Sequence, residues 1–114
     1  MPKHGPLPVL GEFEQVVMLA LLRLGPDAYG AAVCTEIESR SGRGVSVSAV
    51  HTTLERLELK GLVKSRVGDP TPQRGGKRKR HYEVAAAGMK ALQASYRSLR
   101  NMAAGLEHLL GEPA

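Results

Sequence analysis

Hydrophobic residues in the first half of the chain recur at helical spacing in three separate segments. Glu12 to Leu24 predicts a helix with acids in its first turn, and Gly25-Pro26 ends it. Tyr29 to Arg40 predicts a second helix, and a third begins after Ser46, whose hydroxyl can cap it. The predicted apolar stripes are Phe13, Val16, Val17, Ala20, Leu21 and Leu24, then Tyr29, Ala32, Val33 and Ile37, then Val47, Val50, Leu54 and Leu57.

The pattern changes after the third helix, which Gly61 closes. Leu62 to Val67 is typical of a short strand, and Arg80 to Val84 alternates as a second strand. Residues 68–76 between them are rich in turn-forming types. The two segments therefore predict a β-hairpin with a long tip.

A long final helix is predicted from Ala86 to Leu110, about seven turns. Its apolar stripe, spaced by 4, 3, 4, 3 and 4 residues, consists of Leu92, Tyr96, Leu99, Ala103, Leu106 and Leu110. This heptad-like seam is too long to bury against one small domain, so we interpret it as a homodimer interface.

The expected fold is mainly α with a small β-hairpin: a winged helix-turn-helix plus one long C-terminal dimerisation helix. The predicted organisation is a flexible N-terminal arm over residues 1–10, a DNA-binding domain over 11–84 and the dimerisation helix over 85–114. A length of 114 residues allows one domain and little more.

Composition narrows the cellular compartment in which we expect the protein. No apolar run reaches the roughly 18 residues of a membrane span, and the proline-rich N-terminus does not resemble a signal peptide. Cys34 is the single cysteine, which excludes an internal disulfide and fits a reducing compartment. We therefore expect a cytoplasmic protein without membrane association, in which Cys34 is buried rather than a redox sensor.

Positive charge is concentrated in one segment. The net charge is +5, and Lys60 to His81 holds eight lysines and arginines against one acid, Asp69. A basic hairpin tip directly after a helix-turn-helix favours double-stranded DNA as the partner. Charge alone is equally compatible with a solvated surface.

Two groups of residues are the candidate DNA contacts. The third helix can enter the major groove with the polar face opposite its buried stripe, and the wing can reach phosphates. The recognition-helix candidates are Ser46, Ser48, Ala49, His51, Thr52, Thr53 and Arg56. The wing candidates are Arg74, Gly75, Gly76, Lys77, Arg78, Lys79 and Arg80. Taken alone, the polar face of the third helix is also that of any surface helix.

The chain resembles the PadR family of bacterial transcriptional regulators over about residues 10 to 105. The residues that carry the resemblance are Leu10–Gln15, Asp27–Gly30, Leu54–Glu58, Lys60–Val63 and Gly75–Tyr82. The resemblance implies a dimeric repressor of the short subfamily. Family members often respond to a small hydrophobic or phenolic effector, which is one partner that the resemblance suggests, whereas others regulate transporter genes with no known ligand.

Two positions depart from the family pattern. His51 stands where the family usually has tyrosine, and Ala85-Ala86 replaces the usual Thr-Pro at the start of the last helix. The first departure changes a candidate DNA contact. The second removes the side chain that would cap the helix.

Two other classes of function compete with a DNA-binding regulator. An enzyme is disfavoured because the four histidines lack metal-ligand spacing and Gly75-Gly76-Lys77 lacks the remaining residues of a phosphate loop. We accordingly expect no catalytic residue, no metal and no cofactor. A winged-helix module that binds RNA or protein instead of an operator stays open as the alternative.

Overall fold

Four helices and one antiparallel hairpin make up the regular structure in a computed structural model, which describes residues 7–68 and 79–111. The elements are α1 (Glu12–Leu24), α2 (Gly30–Ser41), α3 (Val47–Leu59), β1 (Val63–Val67), β2 (Arg80–Val84) and α4 (Ala86–Ala103). Short 3-10 turns cover Gly25–Asp27 and Glu107–Leu109. The predicted class, mainly α with a small hairpin, is confirmed.

The core lies among α1, α2 and α3, which all contact one another, and it is closed by the hairpin. Met18 is fully buried, although the predicted stripe of α1 omitted it. The buried arc of α1 is wider than predicted because α1 contacts β2 as well as α2 and α3. The fully enclosed residues of the three stripes are Val17, Val33, Val50, Leu54 and Leu57.

Val47 does not belong to the buried stripe of α3, and that prediction was wrong. Its side chain is 44% exposed. Val47 is the first residue of α3, one turn before Val50, and so lies at the free end of the helix.

The hairpin packs its inner face on the helices. β1 and β2 pair antiparallel from Val63 with Val84 to Val67 with Arg80. Val63 and Tyr82 are buried, and the Tyr82 backbone N–H donates to the Ala28 carbonyl at 2.8 Å. The hairpin is therefore tied to the segment that leads into α2.

The last helix is shorter than predicted. α4 ends at Ala103, Ala104 leaves the helical conformation, and Gly105 has a positive φ of 86°. The Gly105 N–H donates to a carboxylate oxygen of Glu107 at 3.0 Å. The prediction that this helix continues to Leu110 was wrong, because the chain turns at this glycine.

Only the first turns of α4 pack on the domain. Ala91 and Leu92 are buried in the core, whereas Tyr96 and the large apolar residues after it are exposed. At the other end of the chain Leu10, predicted to lie in a flexible arm, is also buried in the core. Residues 1–6 of that arm lie outside the described residues.

None of the helices in the described part of the chain combines the length and the apolar character needed to span a membrane.

Candidate nucleic-acid interface

Helix α3 is built to bury one side and present the other. The Ser46 hydroxyl accepts a hydrogen bond from the Ala49 N–H at 3.0 Å, so the predicted N-cap is confirmed. Val50, Leu54 and Leu57 lie in the core on the opposite side. The exposed recognition-helix candidates are Ser46, Ser48, Ala49, His51, Thr52 and Arg56.

Thr53 has to be removed from that set. Its side chain is 8% exposed, and it is a buried polar residue of the core. Position 53 lies three residues after Val50 and four before Leu57, so helical periodicity places it on the buried face. In this conformation Thr53 is not available to DNA.

His51 lies against the first residue of α2. A methyl group built on Gly30 would be 2.6 Å from both Cε1 and Nε2 of the His51 ring. Such closeness is possible because Gly30 has no side chain. The exposed face of the recognition helix therefore touches the start of α2.

The base of the wing touches the start of α2 from another side. The Lys79 ammonium nitrogen lies 3.9 Å from the centroid of the Tyr29 ring, and the His81 ring meets Tyr29 edge-on at 5.8 Å. Tyr29 also forms an isolated β-bridge with His81. Tyr29 thus connects the wing to α2.

A second connection runs from the hairpin to the end of α3. Arg80 donates to the Ser65 hydroxyl at 3.0 Å, and Ser65 donates to a carboxylate oxygen of Glu58 at 2.6 Å. Lys79 and Arg80 are the two wing candidates that the structure describes. The others, Arg74, Gly75, Gly76, Lys77 and Arg78, lie outside the described residues.

Tyr29 and Gly30 are the site residues that sequence reasoning missed. Tyr29 was assigned to the buried stripe of α2, but it is half-buried and faces Lys79 and His81. The adjacent Tyr-Gly pair was visible as part of the family resemblance. Its contacts to α3 and to the wing were not, because they join residues distant in sequence.

The titratable groups of the core are structural. Burial, followed by the nearby Glu38 carboxylate, raises the pKa of the Cys34 thiol, which donates to the Val45 carbonyl at 3.2 Å. Burial also raises the pKa of the Tyr82 hydroxyl. Cys34 is buried as expected, and a thiol with a raised pKa is a poor redox sensor.

Glu14 ties the start of α1 to the end of α3. Burial alone would raise the pKa of its carboxyl group, but the hydrogen bonds from Lys60 and from the Gly11 N–H, each 2.8 Å, outweigh burial and lower it. The carboxylate is therefore the favoured form. This contact lies behind the exposed face of α3 and helps to hold the helix in place.

The second half of α4 and the turn that follows it leave large apolar side chains uncovered. Of the predicted dimer residues, Tyr96, Leu99, Leu106 and Leu110 are exposed, Leu99 by 65%, and Ala103 is half-buried. Leu92 packs into the core of its own domain and does not belong to this face. Met102 and Leu109, which the predicted seam left out, are also exposed.

Metal chemistry has no support in the described part of the chain. Residues 7–68 and 79–111 contain no group of three or more histidine, cysteine, aspartate or glutamate side chains able to hold an ion.

Comparisons with known proteins agree on family and fold. The profile of the "Transcriptional regulator PadR-like family" matches residues 18–94. A PadR family transcription regulator from Clostridium difficile R20291 superimposes with a TM-score of 0.70 at 23% identity, covering 88% of this chain and 99% of that one. No match was found among curated proteins.

Two further solved structures have the same fold. A PadR family regulator from Eggerthella lenta DSM 2243 is 25% identical with a TM-score of 0.65, covering 87% of this chain and 86% of that one. The ORC1 protein of Aeropyrum pernix, solved in complex with DNA, is 22% identical with a TM-score of 0.60. That match covers 81% of this chain and 26% of ORC1.

Proposed function

Because this chain belongs to the PadR-like family of transcriptional regulators, we propose that it binds an inverted-repeat operator in double-stranded DNA as a homodimer and represses transcription. The members of this family are DNA-binding regulators and not enzymes. We place its action in the cytoplasm.

One observation carries the proposal: a chain of contacts joins the recognition helix to the wing. His51 on α3 lies against Gly30, and the neighbouring Tyr29 contacts Lys79 and His81 at the base of the wing. The two elements that a winged helix applies to DNA therefore meet at the start of α2. This arrangement supports a single, continuous surface for duplex DNA.

The two elements have different roles in the proposal. Ser48, His51 and Thr52 lie on the exposed first half of α3 and read base edges in the major groove. Arg56, one turn later, contacts a phosphate, as do the basic residues of the wing. Arg56 forms no ion pair with another described residue, so its charge is available to DNA.

The homodimer is supported by the uncovered apolar face of α4. Tyr96, Leu99 and Met102 project from a helix whose second half extends beyond its own core. Exposed apolar area of this extent is characteristic of protein–protein contacts. A second copy of the chain would cover it and would place two recognition helices on one duplex.

Family membership is the only support for an effector of the small hydrophobic or phenolic class, which we include in the proposal. Repression would then be relieved when such a compound binds.

The proposal is tested by selecting duplexes from a randomised DNA library with the purified protein and measuring affinity by fluorescence anisotropy. Arg56→Ala should weaken binding and reduce the slope of log K against log salt by about 0.9, since one phosphate contact is lost. Arg23→Ala removes the same charge from the exposed end of α1 and should leave the slope unchanged.

The outcomes separate the proposed regulator from the alternative module. Enrichment of an inverted repeat supports operator binding. Failure to enrich any duplex, with enrichment from an equivalent RNA library, would show that the winged helix serves RNA instead.

A further inference from the structure

The contact between Gly30 and His51 places a buried glycine of α2 against an exposed side chain of α3. The three atoms nearest to a methyl group built on Gly30 all belong to the His51 ring: Cε1 and Nε2 at 2.6 Å and Cδ2 at 3.3 Å. Real side-chain carbons do not approach to 2.6 Å. Any residue larger than glycine at position 30 must therefore displace the ring.

Whether the ring or the helices move depends on which atoms the added methyl group meets. They are the far end of a flexible side chain on an exposed helix face, not backbone. The ring can rotate to another staggered position at small cost, whereas the helices stay where they are. A substitution at Gly30 thus moves the imidazole and leaves the fold intact.

Gly88 shows the opposite case in the same molecule. A methyl group on Gly88 would collide with the carbonyl oxygen of Leu62, which is backbone and cannot rotate away. Gly30 and Gly88 therefore differ in kind. Gly88 is required for packing, while Gly30 controls the position of a side chain.

We infer that Gly30 is a positioning residue for DNA recognition: its missing side chain sets the orientation in which His51 is presented to the major groove. This inference rests on the proposed function and deepens it, because it extends the determinants of DNA binding to a buried residue of α2. Positions 30 and 51 then act as one unit, so the effects of changing them are not independent.

The first arm of the test needs no DNA. The Cε1–Hε1 resonance of His51, assigned with His51→Ala, is recorded by NMR in the wild type, in Gly30→Ala and in Gly44→Ala. Gly44 is a matched control because a methyl group there meets no atom within 4 Å. We expect Gly30→Ala to shift the His51 resonance and Gly44→Ala to leave it in place. An unmoved resonance in Gly30→Ala would overturn the inference.

The second arm measures affinity for a duplex selected by the wild-type protein. Gly30→Ala should weaken binding about fivefold or more, the size of a lost groove contact, while its melting temperature stays at or above that of the wild type, because alanine favours a helix over glycine. Gly44→Ala should bind as the wild type does.

The double variant Gly30→Ala, His51→Ala decides whether the two positions act together. It should bind no more weakly than His51→Ala, since the displaced ring is absent. Losses that multiply, or wild-type affinity in Gly30→Ala, would overturn the inference. A wild type that selects no duplex refutes the proposed function instead, and the NMR arm then still decides whether Gly30 positions the ring.

Discussion

Gly88 and Glu14 illustrate how single residues hold the elements of this domain together. Gly88 lies in the first turn of α4, where the helix contacts Leu62, between α3 and β1, and Val84 at the end of β2. Glu14 joins α1 to Lys60 at the end of α3 and is 16% exposed. Neither residue is a candidate DNA contact, so both are expected to affect stability rather than recognition.

Gly88→Ala should lower the free energy of unfolding by about 2–3 kcal/mol, because the added methyl group meets the Leu62 backbone and the Val84 side chain. Urea denaturation followed by circular dichroism measures the loss. Gly44→Ala is the control and should stay within about 0.5 kcal/mol of the wild type. A fully stable Gly88→Ala protein would mean that α4 can move away from Leu62.

Glu14→Gln should destabilise the protein at neutral pH by about 1 kcal/mol, the net value of a typical hydrogen bond. The pKa of Glu14 is lowered in the folded state, so its contribution is fully present above the pKa of an unfolded glutamate and is lost as the pH falls through the folded value. Wild type and variant should therefore converge in acid.

Urea titrations between pH 7 and pH 3 test the role of Glu14. Glu12→Gln serves as the control, because Glu12 pairs with Arg43 between two well-exposed side chains. It should change stability by no more than about 0.5 kcal/mol. A difference between wild type and Glu14→Gln that does not vary with pH would contradict the proposed ionic origin.

At the scale of elements, the sequence predicted best what is encoded locally. The bounds of α1 and β2 and the Ser46 cap were correct, since they depend on residues that are neighbours along the chain. The predictions for Val47, Thr53 and Leu92 were wrong. Val47 and Leu92 depend on how far other elements cover a helix, and periodicity alone does not supply that. Thr53 is different, because the periodicity of α3 already places position 53 on the buried face.

The predicted end of α4 was wrong because the sequence pattern and the backbone part at one residue. The stripe from Tyr96 to Leu110 keeps heptad-like spacing across Gly105, so the pattern continues where the backbone does not. In the candidate site, the exposed residues of α3 could be read from periodicity. The Gly30–His51 and Tyr29–His81 contacts could not, because they join segments more than 20 residues apart.

Ala85→Ser should stabilise the protein by about 1 kcal/mol. Ala85 is the N-cap of α4 and offers no side-chain hydrogen bond, so a serine oxygen there can accept from a free N–H of the first turn. Thermal unfolding measures the gain. Ala87→Ser, the same change inside the first turn, should give no stabilisation. Equal gains in both variants would show that capping is not the cause.

At the scale of the whole molecule, the described chain is elongated, with extents of 53 × 40 × 20 Å. The three-helix core and the hairpin form one packed domain. The second half of α4 projects from this domain with its apolar face uncovered. The proposed dimer gives that projection a partner.

Leu99→Glu should convert the proposed dimer into a monomer, because a charge would be buried without a partner at the centre of the apolar face. Light scattering should give a wild-type mass near twice 12.2 kDa and a variant mass near 12.2 kDa. Leu59→Glu is the control, since Leu59 is 89% exposed at the end of α3 and should leave the mass unchanged. A wild type that is monomeric at high micromolar concentration would contradict the dimer.

The projecting half of α4 also has a consequence for how such a regulator would respond to its own abundance. A dimer held by this short segment dissociates on dilution, and mass action links its population to the square of the monomer concentration. Occupancy of a two-fold site would then rise more steeply than the amount of protein. A small change in synthesis or degradation would then change the occupancy of the site more than in proportion, most strongly where the dimer is only partly formed.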